Sequence, residues 1–398
     1  MHPITRGRRR LVLAGCGIAT LAMLASATIV SFRAGASWTA MEEQKEQLRR
    51  KFNARTQKRE PLWGEVIKGA AFSHYGHALA AARPLSRQLP PPAKLFATSD
   101  EQLASAVEPF RARWAPMLAS LRAGAHSANA SPPPLGDEPE TSIENLLDCR
   151  WVVNIAVLEA RVLRHEGRSI EAVQRTLDAA QFGADLLHRG SLINQMIAVA
   201  ILMIATDCWP EEMLRRLDRD ALDLLASGLE RLDRELPETL DLTGELLFLS
   251  HSLRWAGADD SWVPSFEWRY GFSSRWMIAD AFLQVAGAAA QLEADPAVPW
   301  SKRQAQIDEW FRRLSEGANP VVSIMIPNFT SAEMNLRQAL AILRLLRASL
   351  ELHRGNEAPP LRDPLGDGPL LVTADAAGVK LRSAGTLRDQ PLERTFRH

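Results

Sequence analysis

The sequence predicts a mainly α-helical protein. An N-terminal transmembrane helix leads into an irregular, solenoid-like stack of helical hairpins, which ends in a short β-hairpin. Three observations carry this. Residues 11–32 contain no charge. From Thr141 to about residue 355, apolar residues recur at spacings of three and four, as at Leu146, Val153, Val157 and Leu158. After Pro359 the texture changes to Gly and Asp turns around two short extended runs.

As a helix, the run 11–32 would extend about 33 Å, against roughly 30 Å of bilayer hydrocarbon. Arg6, Arg8, Arg9 and Arg10 precede it, and only Arg33 follows closely before Glu42, Glu43 and Glu46. The positive-inside rule then keeps residues 1–10 in the cytoplasm and sends the remainder across. A cleaved signal peptide has a shorter apolar core, although Ala25-Ser26-Ala27 and Ala34-Gly35-Ala36 have the small-x-small form of a cleavage site. Leu13-Ala14-Gly15-Cys16 has the form of a lipobox, but the apolar run continues past it. The segment therefore reads as an uncleaved anchor. Gly15 and Ala19 form a small-xxx-small pair that would favour association of two anchors, which leaves a homo-oligomer open.

Composition bounds the partners. Forty-seven basic residues balance 47 acidic ones, so no charge excess points to nucleic acid. Beyond Cys16 the only cysteines are Cys149 and Cys208. Helices over 142–166, 169–188 and 191–208, packed up-down-up, place these two roughly 15 Å apart along the axis, which excludes a disulfide. No Cys or Cys/His spacing suggests zinc, and no cofactor motif is present.

Along the chain, 33–60 is polar and reads as a helical stalk. Pro61 opens a helix over 62–83. Another helix runs over 99–122, with Ser99 or Asp100 as its cap and Pro109 and Pro116 expected to kink or split it. Together, 61–122 form the N-terminal helices, and 123–140 is an exposed loop. The main helical domain is 141–355. Its stretch 196–205 is wholly apolar but too short to span a membrane, so it reads as a buried helix. The tail, 356–398, holds a hairpin over about 370–382, which needs support because a lone hairpin is marginal in water. It is expected to lie on the last long helix, 331–354.

The stretch "LRHEGRSIEAVQRTLDAAQFGADL" (163–186) resembles half of a tetratricopeptide unit, with Gly167 at the turn and Ala172 and Ala179 seven apart. No second copy follows. More widely, "GEVIKGAAFSHYGHAL", "LEARVLRHEGRSIEA", "RGSLINQMIAVAI", "ETLDLTGELLFL", "NPVVSIMIPNF" and the segment from "LRQALAILRLLRASLELHRG" to "GVKLRSAG" resemble a group of uncharacterised bacterial membrane-anchored helical proteins. The tail is also similar to the ends of type II pseudopilins. The "GxYP" segment usual there is absent, and so is the pilin processing site. The resemblance implies anchoring in a bacterial inner membrane with the bulk of the chain periplasmic. It implies no activity.

Candidate sites are few. "LRWAGADDSWVPSFEWRYGFSSRW" (253–276) holds Trp255, Trp262, Trp268, Arg269, Tyr270 and Trp276, an aromatic and arginine mixture suited to a protein partner or a glycan, or to filling the core. His74 and His77 share a helical face but lack a third ligand within reach. Glu245 sits among apolar residues and would need Arg254 or a helix N-terminus as its partner. No nucleophile motif, P-loop or dinucleotide fingerprint occurs. The expected role is a scaffold that binds another envelope protein, with no catalytic, cofactor or metal residue assigned. An envelope enzyme or glycan-binding protein using 253–276 is the alternative, and an accessory part of a secretion system is a further one.

Overall fold

A computed structural model of the chain describes residues 35–55, 57–86, 88–133, 143–188, 190–258, 274–293, 298–317, 319, 321–322, 328–375, 378–387 and 390–396. These are mainly helical, with a short antiparallel sheet at the C-terminal end. The expected membrane span, 11–32, lies outside them. Among the described residues no helix is long and apolar enough to cross a membrane.

Helix α1 covers 35–53. The sequence reads here as a polar stalk, yet Met41, Lys45, Leu48 and Phe52 are all buried. Their spacing of three and four marks one helical face, and its three apolar members belong to the main core. The helix expected over 62–83 starts late. Gly64 and Gly69 take positive φ values of 67° and 123°, which interrupt a helix, and 67–70 form a strand instead. This strand, β1 (Ile67–Ala70), runs directly into α2 (Ala71–Ser86). After the short α3 (Pro92–Phe96) comes α4 (Asp100–Ala125). Ser99 caps α4 by accepting from the Gln102 amide at 3.3 Å.

Pro109 and Pro116 do not split α4. Both are exposed, and so are Ser105 and Ala112, whose carbonyls lose their helical donors. Those carbonyls face water, which offsets the lost bonds. The start of the expected 123–140 loop is ordered differently as well. Strand β2 (Ser127–Asn129) pairs in parallel with β1. On its other edge, Lys58 lies antiparallel opposite Asn129. There Arg59 N donates to Ala128 O and Ala130 N to Gln57 O.

Three helices follow close to their expected limits: α5 (Ile143–His165), α6 (Ser169–Leu187) and α7 (Leu192–Asp207). Gly167, at φ 77°, makes the turn between the first two. Helix α6 is central, with 14 buried residues that include a continuous run from Thr176 to Leu187. Cys149 and Cys208 are both free thiols. The chain continues through α8 (Glu211–Leu214), α9 (Arg219–Glu235), α10 (Thr243–Ala258), α11 (Ser274–Glu293) and α12 (Trp300–Ser315) to α13 (Phe329–His353).

The tail is a three-stranded sheet, not a two-stranded hairpin. Strands β3 (Leu371–Asp375), β4 (Gly378–Leu387) and β5 (Gln390–Phe396) pair in that order, antiparallel. The third strand, β5, lies beyond the hairpin expected over about 370–382, and its Pro391 is accommodated because β5 is an edge strand, where proline is tolerated. As expected, the sheet rests on the last long helix. Gln338 Nε2 donates to Thr386 O at 2.7 Å, and Leu381 and Leu392 are buried in the core.

Candidate functional site

A buried cluster of charged groups lies where the segment 57–64, the start of α2 and the end of α4 meet α6. Helix α6 presents Asp178, Gln181 and Asp185 inward at spacings of three and four. Such a row is costly to bury unless each group finds a partner, and the partners arrive from earlier in the chain. Arg59 donates through Nε and Nη2 to Asp185 Oδ1 and Oδ2, at 3.0 and 2.6 Å. Its Nη1 and Nη2 also reach Ala125 O and Gly124 O, at the negative end of α4. Tyr75 Oη donates to Asp185 Oδ2 at 2.5 Å, and Gln181 Nε2 to Oδ1 at 3.0 Å. A Cβ on Gly124 would stand 2.2 Å from the Tyr75 ring, so glycine is what lets that ring lie over the helix end. Burial pushes the Tyr75 hydroxyl well above its usual range, and Asp185 adds to the shift. Burial likewise pushes the Asp185 carboxyl up, against the pull of Arg59.

A second cluster joins the same helix one turn earlier. Asp178 Oδ1 accepts from Trp63 Nε1 at 2.9 Å and faces His126 Nε2 at 3.3 Å. His126 Nδ1 lies 3.0 Å from Glu65 O. The ring thus bridges the Asp178 carboxylate and the Glu65 carbonyl. The His126 ring meets Trp63 edge-on at 4.4 Å, and the Arg122 guanidinium covers the same indole at 4.3 Å.

Beside the Arg59–Asp185 pair opens a cleft of about 710 Å³. Residues 57–60 form one wall. His188, just past α6, and Arg231, Arg234 and Glu235 at the end of α9 form the other. Burial lowers the His188 pKa and raises that of Glu235, so it favours the neutral form of each. The rim is different: Lys58, Arg231 and Arg234 are exposed cations, and Glu60 is an exposed acid. Neutral hydrogen-bonding groups with cations at the mouth suit binding of an acceptor-rich, acidic ligand.

Elsewhere, charged groups are engaged in holding the fold. Glu245 Oε2 accepts from Leu192 N at 2.7 Å, which is the helix N-terminus expected for it. Ser349, Glu211 and His353 converge at the C-terminal sheet, but both the Ser349 hydroxyl and His353 Nε2 bond to the Glu211 carboxylate, at 2.6 and 2.8 Å. The serine thus faces an acid and not the imidazole, so this is no nucleophile–base pair. Among the described residues no group of three or more His, Cys, Asp or Glu could hold a metal ion.

No protein family, no curated protein and no solved structure matches the chain.

Of the aromatic candidates, Trp255 falls within α10. Trp262, Trp268, Arg269 and Tyr270 lie outside the described residues. Trp276, near the start of α11, is half-buried and packs against the core. Only Trp255 and Trp276 of this set fall among the described residues. The cleft among them uses His188, residues 57–60 and Arg231, Arg234 and Glu235, none of which the sequence singles out. One signal was present: Asp178, Gln181 and Asp185 interrupt an otherwise apolar helix on its inner side.

Proposed function

We propose that this chain is a membrane-anchored interaction protein of the bacterial envelope, with its helical body facing the periplasm and docking another envelope protein. The arginine-flanked, uncharged run 11–32 supports the anchor and its orientation. Successive antiparallel helices α5, α6 and α7, extended by α9 and α13, support a solenoid-like scaffold that offers broad binding faces. The observation that carries the docking role is the cation-rimmed cleft between residues 57–60 and the end of α9. Buried ionisable groups such as Asp185 and Glu245 are occupied in joining distant segments, which favours binding over catalysis.

The test has two parts. Spheroplasts are treated with protease from outside, and membranes are washed at high pH. The reading expects the body to be digested and the intact chain to stay with the membrane, with release on deletion of 1–32. A body protected from external protease overturns it. Crosslinking in the native membrane should then give one partner at near-stoichiometric yield. That partner should be lost in Arg234→Glu and kept in Arg312→Glu, a change on the distant α12.

A further inference from the structure

The cleft has a backbone wall. Residues 57–59 are an extended segment bridged to β2 at Lys58, and among the described residues only one of their two sides is paired. Gln57 O and Arg59 N point to β2, where they bond Ala130 N and Ala128 O at 2.9 and 3.1 Å. In an extended chain the intervening residues point their amide and carbonyl groups the opposite way. Those of Lys58 and Glu60 make no hydrogen bond among the described residues. The same alternation sends the Arg59 side chain into the core and leaves Lys58 and Glu60 exposed. The cleft lies alongside this wall.

The cleft's other wall is tied to this segment just beyond the edge, where Arg231 Nη1 donates to Pro61 O at 2.8 Å. Natural proteins commonly cover, charge or twist away such edges. Among the described residues this one faces the cleft beneath Lys58, Arg231 and Arg234, against which stand Glu60, 3.9 Å from Arg231, and Glu235, which burial biases toward neutrality.

We propose that residues 58–60 receive an extended, acidic segment of a partner polypeptide by strand addition, with Lys58, Arg231 and Arg234 matching its charge. Main-chain bonds to Lys58 and Glu60 supply affinity, and the cationic rim selects acidic side chains. This rests on the docking role proposed above and identifies its partner as a peptide strand of net negative charge.

The full chain in detergent is titrated into a fluorescein-labelled peptide of alternating glutamate and valine, with anisotropy as the readout. A second peptide carries N-methyl groups on its central residues, which leaves charge intact but removes strand pairing. The expected result is saturable binding of the first and at least a tenfold loss for the second. Arg234→Glu should weaken binding by a similar factor. The deciding variant is Glu60→Pro. It removes an acid, so attraction by charge alone predicts tighter binding, whereas strand addition predicts weaker binding because an edge amide is lost. Glu60→Gln, which keeps the amide, should bind at least as tightly as the parent. Circular dichroism and the urea midpoint check that each variant folds.

Equal binding of both peptides, or tighter binding by Glu60→Pro, overturns strand addition while leaving the docking role standing. So does no peptide binding at all while the native partner still crosslinks to the full chain. A photo-crosslinker at position 58 that captures the chain's own acidic stretch 137–140 overturns the proposal too, by naming an internal occupant. Loss of the partner itself in the native-membrane experiment removes the docking role, and with it this inference.

Discussion

Arg59 and Asp185, 126 residues apart in the chain, form a two-point ion pair with nitrogen–oxygen distances of 3.0 and 2.6 Å. Their side chains are only 2% and 0% exposed. The pair ties the extended segment at 57–59 to the central helix, so the cleft wall depends on it. Removing one member strands a buried charge, which costs about 3–5 kcal/mol, whereas replacing both with apolar groups of similar volume costs much less. Arg59→Met alone should therefore destabilise the fold by roughly that amount in urea titrations. Adding Asp185→Leu to it should recover a large part. A double variant no better than the single one would show that the carbonyls of Gly124 and Ala125, and not the ion pair, hold Arg59 in place.

Tyr75 makes a smaller, separable contribution. Its hydroxyl gives Asp185 a third donor, beside Arg59 and Gln181. Tyr75→Phe keeps the ring contact with Phe182, at 4.5 Å between centroids, and deletes only the donor. The carboxylate retains its other partners, so the expected loss is about 1 kcal/mol, typical of a single hydrogen bond. Urea unfolding reads it directly. A loss comparable to that of Arg59→Met would mean the network acts as one unit.

Legibility in the sequence follows the range of the interaction. Helices α5, α6 and α7 were readable to within a few residues, because apolar periodicity and the turn at Gly167 are local signals. Glu245 announced its need for a partner, since a lone acid in an apolar helix must find one. What supplies that partner, Leu192 N, lies 53 residues away and has no local trace. The same holds for Arg59, Tyr75 and Asp185, which look like ordinary residues of three separate segments. Strand β1 was hidden because it is short and passes directly into α2. Helix α1 was legible as a helix, but its burial was hidden because Lys45 sits in the buried face and lowers the apolar signal.

The two thiols of the body should behave as core groups. Burial pushes the Cys208 pKa up to about 12, and Cys149 is buried. The thiolate is the reactive form. With Cys16→Ser in place, a thiol reagent at neutral pH should label neither residue in the folded chain and both in denaturant. Fast labelling of Cys208 under native conditions would mean that the end of α7 opens readily.

Gly244 is the residue of closest approach between α10 and the turn before α7. A Cβ there would lie 2.3 Å from the Gly190 carbonyl group, which is backbone and cannot rotate aside. Gly244→Ala should therefore force the two segments apart and cost about 1–3 kcal/mol, the range for overpacking in a close-packed site. Because Glu245 caps α7 from the next position, part of that loss should disappear when Glu245→Gln is already present. Non-additivity in the double variant, measured by urea unfolding, checks the coupling.

Glu245 and Glu211 should bend stability in opposite directions with pH. Burial raises the Glu245 pKa, and only the Leu192 amide opposes it. A raised value means the folded state holds its proton more tightly. Its contribution is then fully present below the unfolded carboxyl value, about 4.3, and is lost as pH rises through the folded value. Burial also pushes Glu211 up, but hydrogen bonds from His353 and Ser349 outweigh it and hold the pKa below the usual range. Its contribution is present above the unfolded value and is lost as pH falls through the folded one. Glutamine keeps an acceptor at either site while removing the titration. Relative to the parent chain, Glu245→Gln should gain stability as pH rises from 4 toward 8. Glu211→Gln should be destabilised at neutral pH and approach the parent toward pH 3. Urea midpoints across that range test both, and curves of the same sign for the two variants would contradict the assigned environments.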